Sequence, residues 1–431
     1  MQTMIEHEVD VLVVGGGCTG ICAAVAAARH GARVALIEAV GCLGGMGTSG
    51  LVPAFAPFNY NDKQGEPYIR GLAWEIVERF DTAGAIFGVQ QWWKLFDKEK
   101  AKLVYDRMVL EAGVRLRFFT FFHTVEMDGP FIRRAITVSK AGMEAWKARV
   151  YIDASGDADV AAAAGVPFDY GDDHGDTMPP TLCFSLGGVD RERIPHPRAV
   201  NEAMARGKAE GRLRNPEDHR GEKDIFGPEA MIFNYNHIYG INGLKPDDLS
   251  RAMIEGREIA FELLDYIRET VDGFENAFMA SMGILPGMRE TRRIKGDFCL
   301  TGDAYFRSDR HEDDVCVYDY ACDLHQARHS KADRERFEKL YYEQRTQPGE
   351  YYGIPYRSLL PVGVENLIVG GRCVSCDRVM LSSLRVMPPA MAMGQAAGTA
   401  AALALDTDGR TRCVSIPGLR KNLLADGAYI P

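Results

Sequence analysis

The chain has 431 residues, enough for about three packing units and a core that buries a large ligand, which excludes a disulfide-held miniprotein. Fifty Lys plus Arg against sixty Asp plus Glu give a net charge of −10 with the two signs interspersed, so no basic face is available for nucleic acid. Glycine, 45 residues, is clustered rather than spread, and clustered glycine marks places where backbone approaches something closely.

From the N-terminus, residues 9–14 form an apolar, β-rich run. It leads into Gly15-Gly16-Gly17-Cys18-Thr19-Gly20, an Ala-rich helix to His30, and a second strand over 33–38. Gly31 stands where a helix ends. Residues 1–14 hold no basic stretch followed by an apolar run, so no export signal is expected, and the ten irregularly spaced cysteines fit reduced thiols in a cytoplasmic setting. Residues 99–112 have helical periodicity. Residues 114–124, 131–138 and 148–152 read as β, a small antiparallel meander inserted into a wound unit. From 168 onward Asp-, Gly- and Pro-rich stretches separate short apolar runs, followed by a long helix over 246–269. After Pro355 the first texture returns, with a strand at 366–369 and an Ala/Gly helix over 390–405 introduced by Pro388-Pro389. That helix is interrupted by Gly394, Gln395 and Gly398 and is shorter than the ~20 apolar residues a bilayer requires, so it reads as buried and no membrane association is expected.

Gly15, Gly17 and Gly20 form G-x-G-x-x-G between strand and helix, and Glu38 ends the next strand. In that context Gly15 makes the turn, Gly17 lets backbone N–H groups reach a pyrophosphate, and Gly20 lets helix lie on strand. The helix N-terminus favours the phosphates and the Glu38 carboxylate accepts ribose hydroxyls while repelling a 2′-phosphate. A second glycine loop, Gly41 to Gly50, follows directly. An NAD domain has no use for it there, whereas a flavin dinucleotide extends further and needs a second close approach. The strand end Asp153-Ala154-Ser155-Gly156 is small enough to pass beside the dinucleotide. Gly370-Gly371-Arg372 follows the late strand, and the dipole of the Pro389 helix suits negative charge on a reduced flavin.

With these residues in hand, the chain resembles the FAD-dependent oxidoreductase family, which has a glutathione-reductase-type FAD fold and is distantly similar to succinate dehydrogenase and fumarate reductase flavoproteins. Residues 13–38 with 41–51, 151–165, 287–301 and 352–404 carry the resemblance. It implies FAD held through Gly15, Gly17, Thr19, Glu38, Gly44, Thr48, Gly371 and the start of the Pro389 helix. Cys18, Gly20, Gly45, Val125, Ala154, Ser155, Gly156, Arg372 and Gly394 complete the expected cofactor set. The chain departs from its relatives at Asp377-Arg378-Val379, where a His is often found, and at Ala390, where a Cys is, so the resemblance supplies a reaction class and no substrate. The expected fold class is α/β. It comprises a Rossmann-like FAD-binding domain (a parallel sheet with a small antiparallel β-meander) formed by 1–168 and 360–431, and an inserted α+β substrate domain, 169–359.

Flavin chemistry needs a C–H bond oriented over the ring, a base and a stabiliser of charge. His325 and His237, both among aromatic and amide neighbours in the inserted lobe, are the candidate bases, and Arg289, Arg292 and Arg385 the candidate anion holders. His123 reads as structural, and His7, His30, His174, His196, His219, His311 and His329 as solvated. Cys373-Val374-Ser375-Cys376 is a CxxC, read chiefly as two structural thiols. No metal-ligand spacing and no G-x-S-x-G elbow is present. The expected function is oxidation of a C–OH or C–N bond of a small polar molecule by hydride transfer to flavin N5. The alternatives are reduction of an activated C=C bond with an Arg as proton donor, dithiol chemistry at the CxxC, and a binding subunit whose flavin is structural. The expected partners are a small-molecule substrate and, on base rates, further copies of the chain.

Overall fold

The computed structural model describes residues 4–59, 66–90, 93–215, 221–224, 231–328, 347 and 349–431. His219 and His329 lie outside them. At its centre is a seven-stranded sheet. Ile5–Val14 pairs in parallel with Val34–Ile37 on one side and with Gly142–Asp153 on the other, and Arg115–Arg117 extends the sheet beyond Val34–Ile37. The strand Gly142–Asp153 serves two purposes. Its first half pairs antiparallel with Phe131–Ser139, which pairs with Phe121–Asp128, while its last three residues pair in parallel with Leu367–Val369.

Two expectations are corrected here. Residues 114–124 are two strands rather than one, because Glu38 takes both its neighbours: its N–H donates to Arg117 O, its carbonyl accepts from Thr120 N–H, and the intervening Phe119 sits at φ 52°. Residues 148–152 are the end of a twelve-residue strand, not a separate one.

Val11, Leu12 and Val13 have no exposed surface, as expected of a strand covered on both faces. One cover is a helix pair, Cys18–Arg29 and Met387–Ala404, brought together by glycine. A Cβ on Gly394 would lie 2.2 Å from Thr19 O, and one on Gly398 2.1 Å from Ala23 O. Contacts 19 to 394 and 23 to 398 advance together, so the two helices run parallel. The late helix begins at Met387 and therefore contains Pro388 and Pro389 in its first turn, where proline loses no needed donor, instead of following them. It is buried in the largest core cluster, and no helix among the described residues is long and apolar enough to cross a membrane.

A second, separate core joins the antiparallel sheet of Gly221–Asp224, Met231–Asn234, Phe184–Gly187 and Phe278–Met282 to the helices Ala199–Ala209 and Pro246–Thr270. Described residues between Leu300 and Cys322 and between Tyr352 and Leu360, including the paired strands Asp314–Tyr318 and Tyr352–Pro355, contribute apolar side chains to the larger core. The chain passes between the two bodies at Phe168–Tyr170 and Arg292–Ile294, which pair antiparallel.

Candidate active site

The cradle is built around the start of the helix Cys18–Arg29. Gly15 takes φ 101°, and a Cβ there would fall 2.4 Å from Ala154 O; one on Gly20 would fall 1.8 Å from Gly15 O. The three backbone segments thus touch, and only glycine fits. At Gly17, the N-cap, an added Cβ would meet nothing within 4 Å, and no side chain caps the helix. A helix N-terminus with no side-chain cap and open space beside its glycine suits an anion. Cys18 and Thr19 are buried on the inner side, Cys18 Sγ 3.8 Å from Gly44 O and Thr19 against Gly370 and Gly371. Gly371 has φ 86°. Glu38 accepts from Gly16 N–H at 2.6 Å and from Val40 N–H at 3.0 Å, while burial pushes its carboxyl upward. Val125 lies on Phe121–Asp128 and belongs to the same buried core cluster as Val14 and Ile37.

The second glycine loop spans the distance between two helix starts. Gly44 N–H donates to Gly16 O, a Cβ on Gly45 would lie 3.1 Å from Gly17 Cα, and one on Gly47 would lie 3.2 Å from Met387 Sδ. Thr48 fixes the loop through its hydroxyl, which donates to Leu43 O at 2.6 Å. Because the helices are parallel and Gly394 stands opposite Thr19, the late helix starts six residues further out than the first, about 9 Å at 1.5 Å per residue. That start also has no side-chain cap. The arrangement offers two positive helix ends a stacked distance apart, joined by a bare backbone loop.

Ala154, Ser155 and Gly156 follow the strand Gly142–Asp153. Ser155 donates through N–H and Oγ to Asp153, and Gly156, at φ 82°, lies under the guanidinium of Arg372. Arg372 itself donates to Asp157 Oδ1 at 2.5 Å and to Met288 O at 2.8 Å, so its hydrogen bonds tie the cradle to the returning chain.

The candidate catalytic residues divide into two groups. His325 and His237 come together, ring centroids 5.0 Å apart at 79°. His325 Nε2 lies 3.3 Å from Asp323 Oδ1, and Arg385 Nη2 donates to Asp323 O at 2.7 Å and to Oδ2 at 3.1 Å. Arg289 Nη1 donates to Thr181 Oγ1 at 2.9 Å and to Pro179 O, and Thr181 is bridged by backbone to His237. Arg385 stands two residues before Met387, which places this group beside the late-helix start. Ile284 N–H donates to Ser49 O, so the inserted body closes over the second glycine loop next to it. Arg292 is elsewhere: it donates to Asp157 O and Asp159 Oδ1 beneath the ring of Phe168, at the crossing between the two bodies. Its neighbours Glu290 and Arg293 are buried rather than on the lobe surface, Glu290 pairing with Arg293 and Arg378.

Asp323 is the residue that sequence reasoning left without a role. The Asp-x-His spacing at 323–325 was its one signal. Burial and the positive charge of Arg289 push His325 down to about 3, against the opposing pull of Asp323, so the imidazole is neutral at pH 7. With Nε2–H directed at Asp323, Nδ1 carries the lone pair. Asp323 stays ionised, held low by His325, Arg385 and Arg289 against its own burial.

Two other expectations meet the structure here. Cys373 and Cys376 are free and buried, and burial pushes both thiols well up, the reverse of what a reactive dithiol requires. His7 is not solvated: it lies 2.6 Å from the buried carboxylate of Glu144, with its ring on Trp146, because the first strand begins beside Gly142–Asp153.

A family model described as FAD dependent oxidoreductase matches residues 10–423. The chain belongs to this family. FAD is its cofactor, and the residues present fit it: the open face at Gly17 and the uncapped first helix suit the pyrophosphate, Glu38 the adenosine ribose, and the glycine loop to Met387 the flavin end. Over 59 residues this FAD dependent oxidoreductase is 52% identical to glutathione reductase of Schizosaccharomyces pombe, a stretch of 14% of this chain and 13% of that relative's length. Among solved structures, a geranylgeranyl bacteriochlorophyll reductase-like protein from Thermoplasma acidophilum matches at TM-score 0.47 and 12% identity, over 97% of this chain and 83% of that one. CabE, an aromatic hydroxylase from angucycline biosynthesis, matches at 0.48 and 12%, over 98% and 69%. Among the described residues no group of three or more His, Cys, Asp or Glu side chains is placed to hold a metal ion.

Proposed function

We propose that this flavoprotein is a dehydrogenase or oxidase that removes a hydride from a C–OH or C–N centre of a small polar organic molecule. FAD, when bound, supplies the two-electron acceptor, taking the hydride at N5. The chain's part is to place the substrate beside the late-helix start and to manage its proton. One observation carries the reading: a neutral His325, fixed by Asp323, stands with His237, Arg385 and Arg289 where the inserted body meets the second glycine loop. Neutral His325 Nδ1 accepts the hydroxyl or ammonium proton, and the adjacent carboxylate stabilises the imidazolium so formed. The Ile284 N–H on Ser49 O joins the inserted body to the loop beside this cluster.

The test is His325→Gln in the FAD-loaded protein, followed anaerobically. Flavin reduction by a donor that bleaches the parent protein is expected to slow by about 100- to 10,000-fold, the usual contribution of a positioned base, with FAD content unchanged. Reduction at the parent rate would remove His325 from the chemistry.

A further inference from the structure

Two side chains from distant parts of the chain converge on one oxygen of Asp157. The Thr291 hydroxyl donates to Asp157 Oδ1 at 2.6 Å, and Arg372 Nη2 donates to the same atom while its Nη1 donates to Met288 O at 2.8 Å. Met288 precedes Arg289 and Thr291 stands two residues after it, and all three are buried. Asp157 thus holds the segment that carries Arg289 on both sides of that residue. The far end of the same segment meets the candidate active site: Gly287 N–H donates to Thr181 O, and Arg289 Nη1 donates to Thr181 Oγ1 at 2.9 Å. Thr181 is bridged to His237, whose ring lies against that of His325. A continuous set of bonds therefore runs from the strand end at Gly156, under Arg372, to the histidine pair.

We propose that Asp157 is a positioning residue of the candidate active site: by holding Thr291 and, through Arg372, Met288, it keeps Arg289 on Thr181 beside His237 and His325. The proposal rests on the reading of His325 as the base, but it concerns where a charge stands, so it is tested by titration without turnover. His325 faces Asp323 and His237, with Arg385 on Asp323 and the charge of Arg289 bearing on the ring. Asp157 faces Arg372 and Thr291, with Arg292 on its carbonyl and the charge of Asp159 nearby. The direction of a shift separates two kinds of effect. A carboxylate acting on an imidazole by its own charge raises the midpoint, so removing it lowers the midpoint; displacing the positive charge of Arg289 raises it. Geometry separates them as well, because both side-chain donors meet one oxygen, which the amide oxygen of asparagine reproduces without the charge. Glu290, on Arg293 and Arg378, and Gly287 also hold the segment, so loss of Asp157 shifts Arg289 less than its deletion does.

The experiment follows the His325 resonance by NMR in FAD-loaded protein with isotope-labelled histidine, assigned from His325→Gln, down to the lowest pH at which FAD is retained. Asp157→Ala is expected to raise the midpoint by about 0.5 to 1 pH unit. Thr291→Val, which deletes one hydroxyl, should raise it by less, and Asp157→Asn should leave it near the parent value. In an Arg289→Met background Asp157→Ala should add no further rise, as holds for two residues that act through one path. FAD content and thermal melting check the fold of each variant. His325 no more protonated in folded Asp157→Ala and Thr291→Val than in the parent at any pH in that range would overturn the proposal, as would a lowered midpoint. A rise in Asp157→Asn as large as in Asp157→Ala, or a rise that persists in full on top of Arg289→Met, would overturn it too. The expected titration in a protein whose flavin no donor bleaches leaves the positioning standing and defeats the base role. Unchanged titration together with bleaching that His325→Gln slows does the reverse.

Discussion

Arg289 adds its positive charge to burial in lowering His325. Its charge disfavours the imidazolium form of His325, which burial alone already holds below the ordinary value of 6.5. Arg289→Met therefore moves the His325 midpoint upward, toward 6.5. The acid limb of flavin reduction should rise in pH with it, so that near pH 5 the variant loses a larger fraction of its rate than the parent does; imidazole NMR titration checks the shift directly. Glu38 supports a prediction of another kind. Both its oxygens already accept backbone N–H groups, so Glu38→Ala removes two loop bonds together with the carboxylate proposed to hold the adenosine ribose. FAD affinity should fall by about 10- to 100-fold, read by fluorescence of released FAD. The roles of these two residues differed in how visible they were. Glu38 sits at a fixed spacing from the glycines, and position along the chain was enough to find it. The effect of Arg289 depends on a cluster drawn from residues 181, 237, 289, 323, 325 and 385, and proximity across such separations is decided by packing that no local pattern records.

The two parallel helices show how an element's placement depends on single hydrogen atoms. Gly398 lets the late helix lie against Ala23 O, and a methyl group there would stand 2.1 Å from that backbone atom, with no flexible side chain to yield. Gly398→Ala should force the helices apart, lower stability by about 1–3 kcal/mol and weaken FAD binding, because the roughly 9 Å offset between the helix starts is set by this contact. Thermal melting with and without added FAD measures both effects. Gly31→Ala is the comparison: its φ of 88° penalises a side chain, but a Cβ there meets nothing, and the cradle is distant. Strand and helix periodicity in the sequence located most of these elements. What it missed has a local cause. The run 114–124 is β-rich throughout, and only the bonds to Glu38, contributed by another strand, break it at Phe119. Of Gly142–Asp153 the sequence marked only 148–152 as β; the first half is held by antiparallel pairing with Phe131–Ser139, and the last three residues by parallel pairing with Leu367–Val369.

At the scale of the whole molecule, one large core carries the cofactor cradle and a smaller one carries the inserted body, with the candidate chemistry in between. The texture of the sequence changes near residue 168, and the described residues between 300 and 322 and between 352 and 360 pack on the larger core although the sequence around them is loop-rich and aromatic. Asp323 and His325 come from the side of the cradle, whereas Thr181, His237 and Arg289 come from the inserted body, so the cluster is assembled from both. Arg372, through Asp157 and Met288 O, ties the two together at the crossing. On the proposed function, this cluster oxidises a bound small molecule with FAD as acceptor. Its most direct test is an anaerobic screen of 2-hydroxy acids, 2-amino acids, alcohols and amines against the FAD-loaded protein, watching the visible flavin band. Bleaching by at least one of these donors, slowed in His325→Gln, is the predicted result; a band that none of them bleaches, in a protein whose dithionite-reduced flavin is reoxidised only by activated alkenes, would contradict it.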